Sequence, residues 1–454
     1  MKKSLLALFL VLTPFLQNLH AEDSNNSKKE PKRRALPAPF KSPPFPSAEY
    51  QGYPLVGVPV DDTIYPLQDS FDKSFWGKWF KCNRIRFYGW ANASGNLSNC
   101  RHSNLPDSYW IVANKIELDQ FVFRVERQVD SVQTNHIDFG FRSTFLYGTD
   151  YRFMTAGGWT SWQLLKYNRL YGYDFTEQYL DIYFPHFAQG TILRIGRWIA
   201  CPDIETQFAP DNYMGSHSLL FTFDTYTQTG VMATIMINKY WTVQACVHAG
   251  TDMAPWYKGA LPTGMFGVRW VAPSNLDSIY LVLNSINAAK FRYFRYCKKK
   301  FGHDNFNYLV GTWQHKFNEW AHTKTEAYFM WQRDAALGGT PSIGPVKSFG
   351  GGGGLGPKLK GMSLTYGAVN YTMFMLSDDD FITFRNEIWN DPRGARSGFP
   401  GLYTSNAFGW THNFSPILQI RPEIGYYYNW KNPAFDLGKK KNMVLCGVDV
   451  TLRF

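Results

Sequence analysis

The stretch Asn442-Met443-Val444-Leu445-Cys446-Gly447-Val448-Asp449-Val450-Thr451-Leu452-Arg453-Phe454 decides the class of fold. Val444, Cys446, Val448, Val450, Leu452 and Phe454 recur at every second position and are all apolar. Between them stand Leu445, Gly447, Asp449, Thr451 and Arg453. Successive side chains of a strand point to opposite faces, so this period of two gives one apolar and one polar face. In His136–Tyr147 the apolar row is Ile137, Phe139, Phe141, Phe145 and Tyr147, against His136, Asp138, Arg142 and Thr144. In Leu418–Trp430 it is Leu418, Ile420, Ile424, Tyr426, Tyr428 and Trp430, against Gln419, Arg421 and Glu423. Noisier segments of the same kind lie near 84–90, 115–129, 178–184, 191–199, 230–237 and 264–272. Further ones lie near 278–283, 308–317, 323–331, 363–375 and 381–389. No period of 3.6 persists for three turns. After residue 16 no run approaches the roughly 18 apolar residues that a spanning helix needs.

The 454 residues are 44% hydrophobic, 17% aromatic and only 18% charged, which excludes a chain disordered throughout. Alternating strands suit a soluble sandwich, apolar inside, or a membrane barrel, apolar outside. Three features favour the barrel. Ionisable pairs occupy strand centres on the polar faces: Arg124 with Glu126, Asp138 with Arg142, Arg421 with Glu423, and Asp449 with Arg453. Trp and Tyr bound the apolar faces, as in an interfacial girdle. The terminal aromatic Phe454 resembles the membrane-insertion signal of bacterial outer-membrane barrels. Hydrocarbon tolerates no unpaired strand edge, so the sheet must close. The sequence therefore predicts an all-β fold: a closed antiparallel transmembrane β-barrel of about 16 strands (14–18 accepted) over residues 80–454. A barrel of that size is expected to hold a water channel rather than a packed core, lined by the eight charged residues just named.

The N-terminus carries its own signals. Lys2 and Lys3 precede the apolar run Leu5–Leu12, and Leu19-His20-Ala21 offers a cleavage site, so residues 1–21 read as a secretory signal peptide. Residues 22–79 read as a disordered, Pro-rich periplasmic extension: Glu22–Arg34 is polar, and nine prolines follow between Pro31 and Pro66. A semi-rigid spacer fits this composition; docking onto a partner or folding into the lumen is the functional alternative. Six Cys (82, 100, 201, 246, 297 and 446) show no paired spacing, and read as mostly unpaired.

Several segments resemble the OmpL-like β-barrel porin family. They are Arg84–Trp90, Asp138–Phe141 with Leu146–Asp150, Arg194–Arg197, Ala209–Asn212 with Ser216–Ser218, Thr227–Val231, Phe414–Glu423 and Asn432–Asp436. Their order along 84–454 carries the likeness, whereas Met214-Gly215 and the six Cys depart from the pattern. The resemblance implies a signal-bearing outer-membrane channel.

Motifs for other chemistries are lacking or isolated. Ser216-His217-Ser218 sets Ser beside His, but neighbours on a strand face opposite ways and cannot share a proton. The Gly350–Gly354 run lacks the Lys-Ser/Thr of a phosphate-binding loop. Asp378-Asp379-Asp380 reads as a solvated loop rather than a Ca²⁺ site. No enzyme activity, cofactor or metal is therefore expected. The net charge of +11 is spread along the chain, so no nucleic-acid module is expected, and the surplus is read as a lumen or mouth favouring anions. The partners expected are outer-membrane lipid, the barrel-assembly machinery and small hydrophilic solutes, with homo-oligomers open. Passive diffusion of such solutes is the function read here, and a secreted or surface-attached all-β binding protein is the alternative.

Overall fold

The computed structural model describes residues 53–107, 109–200, 203–257, 260–285, 306–338 and 356–454. The leader, the extension up to residue 52, Lys298–Lys300, the Gly350–Gly354 run, Cys201 and Cys297 lie outside the described residues. Sixteen strands form one closed barrel, each hydrogen-bonded antiparallel to its chain neighbours. They are β1 (Arg86–Ser98), β2 (Ile116–Arg127), β3 (Asp138–Gly148), β4 (Gly172–Phe184), β5 (Thr191–Ile199), β6 (Thr227–Met236), β7 (Trp241–His248) and β8 (Thr263–Val271). The second half is β9 (Asp277–Ser285), β10 (Phe306–Lys316), β11 (Ala321–Arg333), β12 (Met362–Met375), β13 (Asp380–Asp391), β14 (Gly401–Ser415), β15 (Leu418–Asn429) and β16 (Asn442–Arg453). β1 closes on β16 in the register Trp90↔Arg453 to Ser98↔Leu445.

Side-chain direction follows the alternation. In β16, Val444, Val450 and Leu452 are exposed on the outer face, whereas Leu445, Asp449 and Thr451 are buried inside. Phe139, Leu180, Ile195, Leu281, Phe329 and Ile424 continue the exposed apolar exterior around the wall. Connections alternate in length: 416–417 joins β14 to β15, whereas 200–226 joins β5 to β6. Short turns and long loops thus occupy opposite ends, and in outer-membrane barrels the short turns face the periplasm. Asp380 lies at one short turn, where it accepts from Ser377 Oγ (2.8 Å) and meets His412 Nδ1 (2.8 Å).

Part of the stretch read as disordered extension has a defined fold. α1 (Pro66–Asp72) starts on a proline, which needs no partner for its missing N–H there. α2 (Gly77–Cys82) follows a turn so tight that a Cβ on Gly77 would lie 1.9 Å from the Asp72 carbonyl oxygen. Upstream, residues 53–63 run inside the barrel. Leu55 and Val56 pack against Tyr183, Ile192, Met236 and Val271, and Gly57 N–H donates to Ser131 Oγ. Two strands, β7 and β14, are absent from the segments picked out by alternation. The outward row of β14 includes Thr404 and Asn406, which blur the apolar signal, and β7 is only 8 residues long. Cys82, Cys100, Cys246 and Cys446 are free thiols.

Candidate channel interior

The β5–β6 connection folds inward and crosses the barrel, held by polar side chains from walls far apart in sequence. From β15, the Arg421 guanidinium donates to the carbonyls of Ala209 (2.8 Å) and Asn212 (2.6 Å). Two residues along the same face, Glu423 accepts from the N–H groups of Gly215 (2.9 Å) and Ser216 (3.2 Å). From β13, Arg385 donates to Ser216 O, and Glu387 accepts from Leu219 N–H and Leu220 N–H. Those last donors open the single-turn helix α3 (Leu219–Thr222), whose first amides have no intrahelical partner and therefore need an acceptor. From β11, Glu326 accepts from Ile204 N–H (2.8 Å).

The β1–β2 connection also turns in. Tyr109 stacks on His217 (3.7 Å between ring centroids) and on Phe153 (4.4 Å). Trp110 fills a slot whose walls are glycines: a Cβ would lie 2.1 Å from its ring at Gly447 and 2.5 Å at Gly215. The small residue at 215 thus accommodates an indole supplied by another loop. Together these segments place an apolar cluster inside the barrel, including Trp198, Tyr213, Phe221 and Trp389. The lumen is narrower than that of an open barrel. A 16-strand barrel encloses more space than its own side chains fill, and the inward loops occupy it.

The sequence-predicted residues take up varied positions in this interior. Arg142 faces Glu126 directly across the β2–β3 register and pairs with it at 2.8 Å, and with Glu177 of β4 at 3.2 Å. Arg124 pairs with Glu177 at 2.8 Å. Arg421 likewise faces Asp449 across β15–β16 and is paired with it. Asp138, near the short-turn end, holds both Arg84 (2.5 Å) and Arg127 (2.9 Å). Glu423 belongs to the inward loop's anchorage. Arg453 is half-buried and donates to the carbonyls of Pro416 and Pro210, each at 3.2 Å. Seven of the eight are therefore buried rather than hydrated, and the charges of six, all but Glu423, are met across strands rather than two positions along one strand. A buried ion offsets its desolvation only when paired and hydrogen-bonded, so these residues brace the interior.

Sequence reasoning missed Arg194, Arg197, Glu177, Arg385 and Glu387 as interior charges, although each sits on the polar face of an alternating strand. Arg194 forks onto Asp181 with two bonds of 2.8 Å, and its guanidinium lies 3.6 Å from the Tyr179 ring centroid. Tyr53 of the inserted segment lies 4.6 Å from Arg194 and 5.3 Å from Arg142 by the same measure. Ser216-His217-Ser218 is not on a strand but in the crossing loop. Ser218 caps α3, Glu205 accepts from its hydroxyl, and His217 Nδ1 lies 3.4 Å from Glu205.

In the same loop Asp203 and Asp224 lie with Glu326 so close that one oxygen of each falls within 4.8 Å of the others. Burial raises the carboxyls of Asp203 and Asp224 well above the usual range, and the neighbouring charges of Glu326 and Glu205 push both in the same direction. Among the buried, described side chains, 19 carboxylates stand against 12 Lys and Arg. The positive surplus of the chain therefore does not arise from the buried interior.

Phe454 completes the wall. Its N–H and C=O exchange 2.9 Å bonds with Gly89, and its ring stacks on Phe121 at 5.6 Å. A Cβ on Gly89 would meet that ring at 2.9 Å, so glycine makes the seat.

A closed antiparallel barrel with an apolar exterior, a charged interior and an inward-folded connection is an outer-membrane channel of the porin class. The chain belongs to the family described as Putative beta-barrel porin-2, OmpL-like, whose model matches residues 84–454. Among solved structures, it is similar to an anion-selective porin from Comamonas acidovorans, with 8% identity over 82% of this chain and 99% of that one (TM-score 0.49). It is also similar to OprB of Pseudomonas putida, with 11% identity over 84% and 96% (TM-score 0.49). OmpT of Vibrio cholerae, in a trimer form, shows 10% identity over 82% and 99% (TM-score 0.46). No curated protein matches the chain.

Proposed function

We propose that this outer-membrane channel passes small hydrophilic solutes and ions by passive diffusion, along a path narrowed by the crossing loop and by residues 53–63. The observation that carries this reading is the interior face itself. It presents charged and hydroxyl side chains around the whole closed wall, with an exterior fitted to hydrocarbon. The selectivity proposed is by size first. Arg124, Arg142, Arg194, Arg197 and Arg421 are each paired with Glu or Asp, so these arginines are no source of a strong anion preference. The mature chain starts after residue 21, reaches the outer membrane by secretion and is inserted by the barrel-assembly machinery through a signal that includes Phe454. The wall positions Arg124, Glu126, Asp138, Arg142, Arg421, Glu423, Asp449 and Arg453 act mainly as supports of the path. Association of several copies is compatible with the apolar exterior.

Vesicle swelling tests this function. Vesicles holding the full chain should swell in small sugars, with rates falling steeply as solute size grows. Swelling no faster than in protein-free vesicles, from protein shown to be inserted, would refute it.

A further inference from the structure

The α1–α2 hairpin does not enter the barrel. Phe87 alternates with the inward-facing Arg86 and Tyr88 on β1, and therefore points outward. Phe71 stacks on it at 4.2 Å and Phe80 meets it edge-on at 4.9 Å. The Gln68 side chain accepts from Phe87 N–H at 2.7 Å, where β1 runs beyond its pairing with β16. The hairpin is thus fixed to the outside of the wall at the short-turn end.

Its remaining aromatics are left uncovered by the described residues. Phe75 is 90% exposed, Trp76 59% and Trp79 43%. Water-facing indoles and a phenyl so close together cost free energy in proportion to their apolar area. The outer wall at the same end already carries an exposed aromatic belt, including Trp241, Phe317, Trp320 and Phe414. Over Phe87 the belt is interrupted, because the hairpin covers that ring. Phe75, Trp76 and Trp79 restore it one layer out. Lys73, Lys78 and Lys81 alternate with them, and Lys78 has no acidic partner among the described residues. Aromatic rings beside lysines match a bilayer interface, where rings lie among the glycerol groups and ammonium groups meet phosphates.

We propose that the α1–α2 hairpin is a membrane-interface anchor, seated by Phe75, Trp76 and Trp79 in the periplasm-facing leaflet of the outer membrane. The lipid surface is the occupant because the patch continues the barrel's lipid-facing belt and carries the charge that anionic headgroups attract. The anchor would hold the chain end that leads from the barrel interior at residues 53–63 to the first strand.

The test uses the full chain, labelled with 5-fluorotryptophan, in nanodiscs of phosphatidylethanolamine and phosphatidylglycerol. The fluorine resonances of the two indoles are those lost in Trp76→Phe and Trp79→Phe. Heat-dependent gel mobility serves as the control that both variants keep the barrel. Nitroxide-bearing lipid should broaden both resonances at least two-fold, and a water-soluble gadolinium chelate should leave them nearly unchanged. Broadening by gadolinium without response to the lipid probe would overturn the anchor. Protection from both probes, as a second copy or another protein covering the patch would give, would overturn it as well.

Discussion

Arg421→Met probes whether the interior is braced or merely hydrated. Arg421 is 1% exposed and forks onto Asp449, which otherwise receives the Asn92 amide at 2.7 Å. Its remaining nitrogen holds two carbonyls of the crossing loop. Removing the guanidinium strands a buried carboxylate, and breaking one partner of such a pair costs about 3–5 kcal/mol. The two lost carbonyl bonds are part of the same unit, so their energies do not simply add. The pair variant Arg421→Met with Asp449→Leu removes both charges and should recover on the order of 1–3 kcal/mol. The assay is urea unfolding in phospholipid vesicles, followed by gel mobility without boiling, with the midpoint shift read at constant slope. A single variant within about 0.5 kcal/mol of the parent would refute the braced interior, since that is how exposed positions behave.

Further expectations follow from the same geometry. Deleting Phe454, or replacing it with Asp, should reduce the heat-modifiable fraction far more than Arg453→Asp, because only Phe454 fills the seat made by Gly89; equal assembly of both would refute the closure reading. Glu at Phe139, Ile420 or Val450 should destabilise by up to about 2 kcal/mol in urea titrations, as these side chains face hydrocarbon and Glu is milder there than Arg or Lys; unchanged midpoints would place them off the lipid face. Asp203 and Asp224 have raised carboxyls, so their stabilising, protonated form is full below the ordinary carboxylate pKa of about 4 and is lost as pH rises through the folded value. The neighbouring Glu326, Glu205 and Asp252 add repulsion in the same direction. Proteolysis of the 203–226 loop, measured as the ratio of wild type to Asp224→Asn at each pH, should therefore rise with pH; a flat or falling ratio would refute this.

The wall was legible because it depends on a local property, the period of two, which Val444–Phe454 shows without ambiguity. Strand direction and the inward row followed from it, including the placement of Asp449 and Arg421. Their pairing did not follow, since it depends on register between strands, which no single segment encodes. The interior loops were less legible still. Nothing near Trp110 indicates that its indole will lie between Gly215 and Gly447, more than 100 and 300 residues away in the chain. The prolines of 53–66 exclude strand and helix interior, but they do not show that Tyr53 will lie beside two arginines of the wall.

Single-channel recording in planar bilayers tests the channel most directly. Full-length protein should insert in discrete, voltage-independent steps of small conductance, and Arg421→Met, which removes two anchors of the crossing loop, should widen or destabilise those steps. Folded, heat-modifiable protein that enters the bilayer and carries no current in either form would contradict the account.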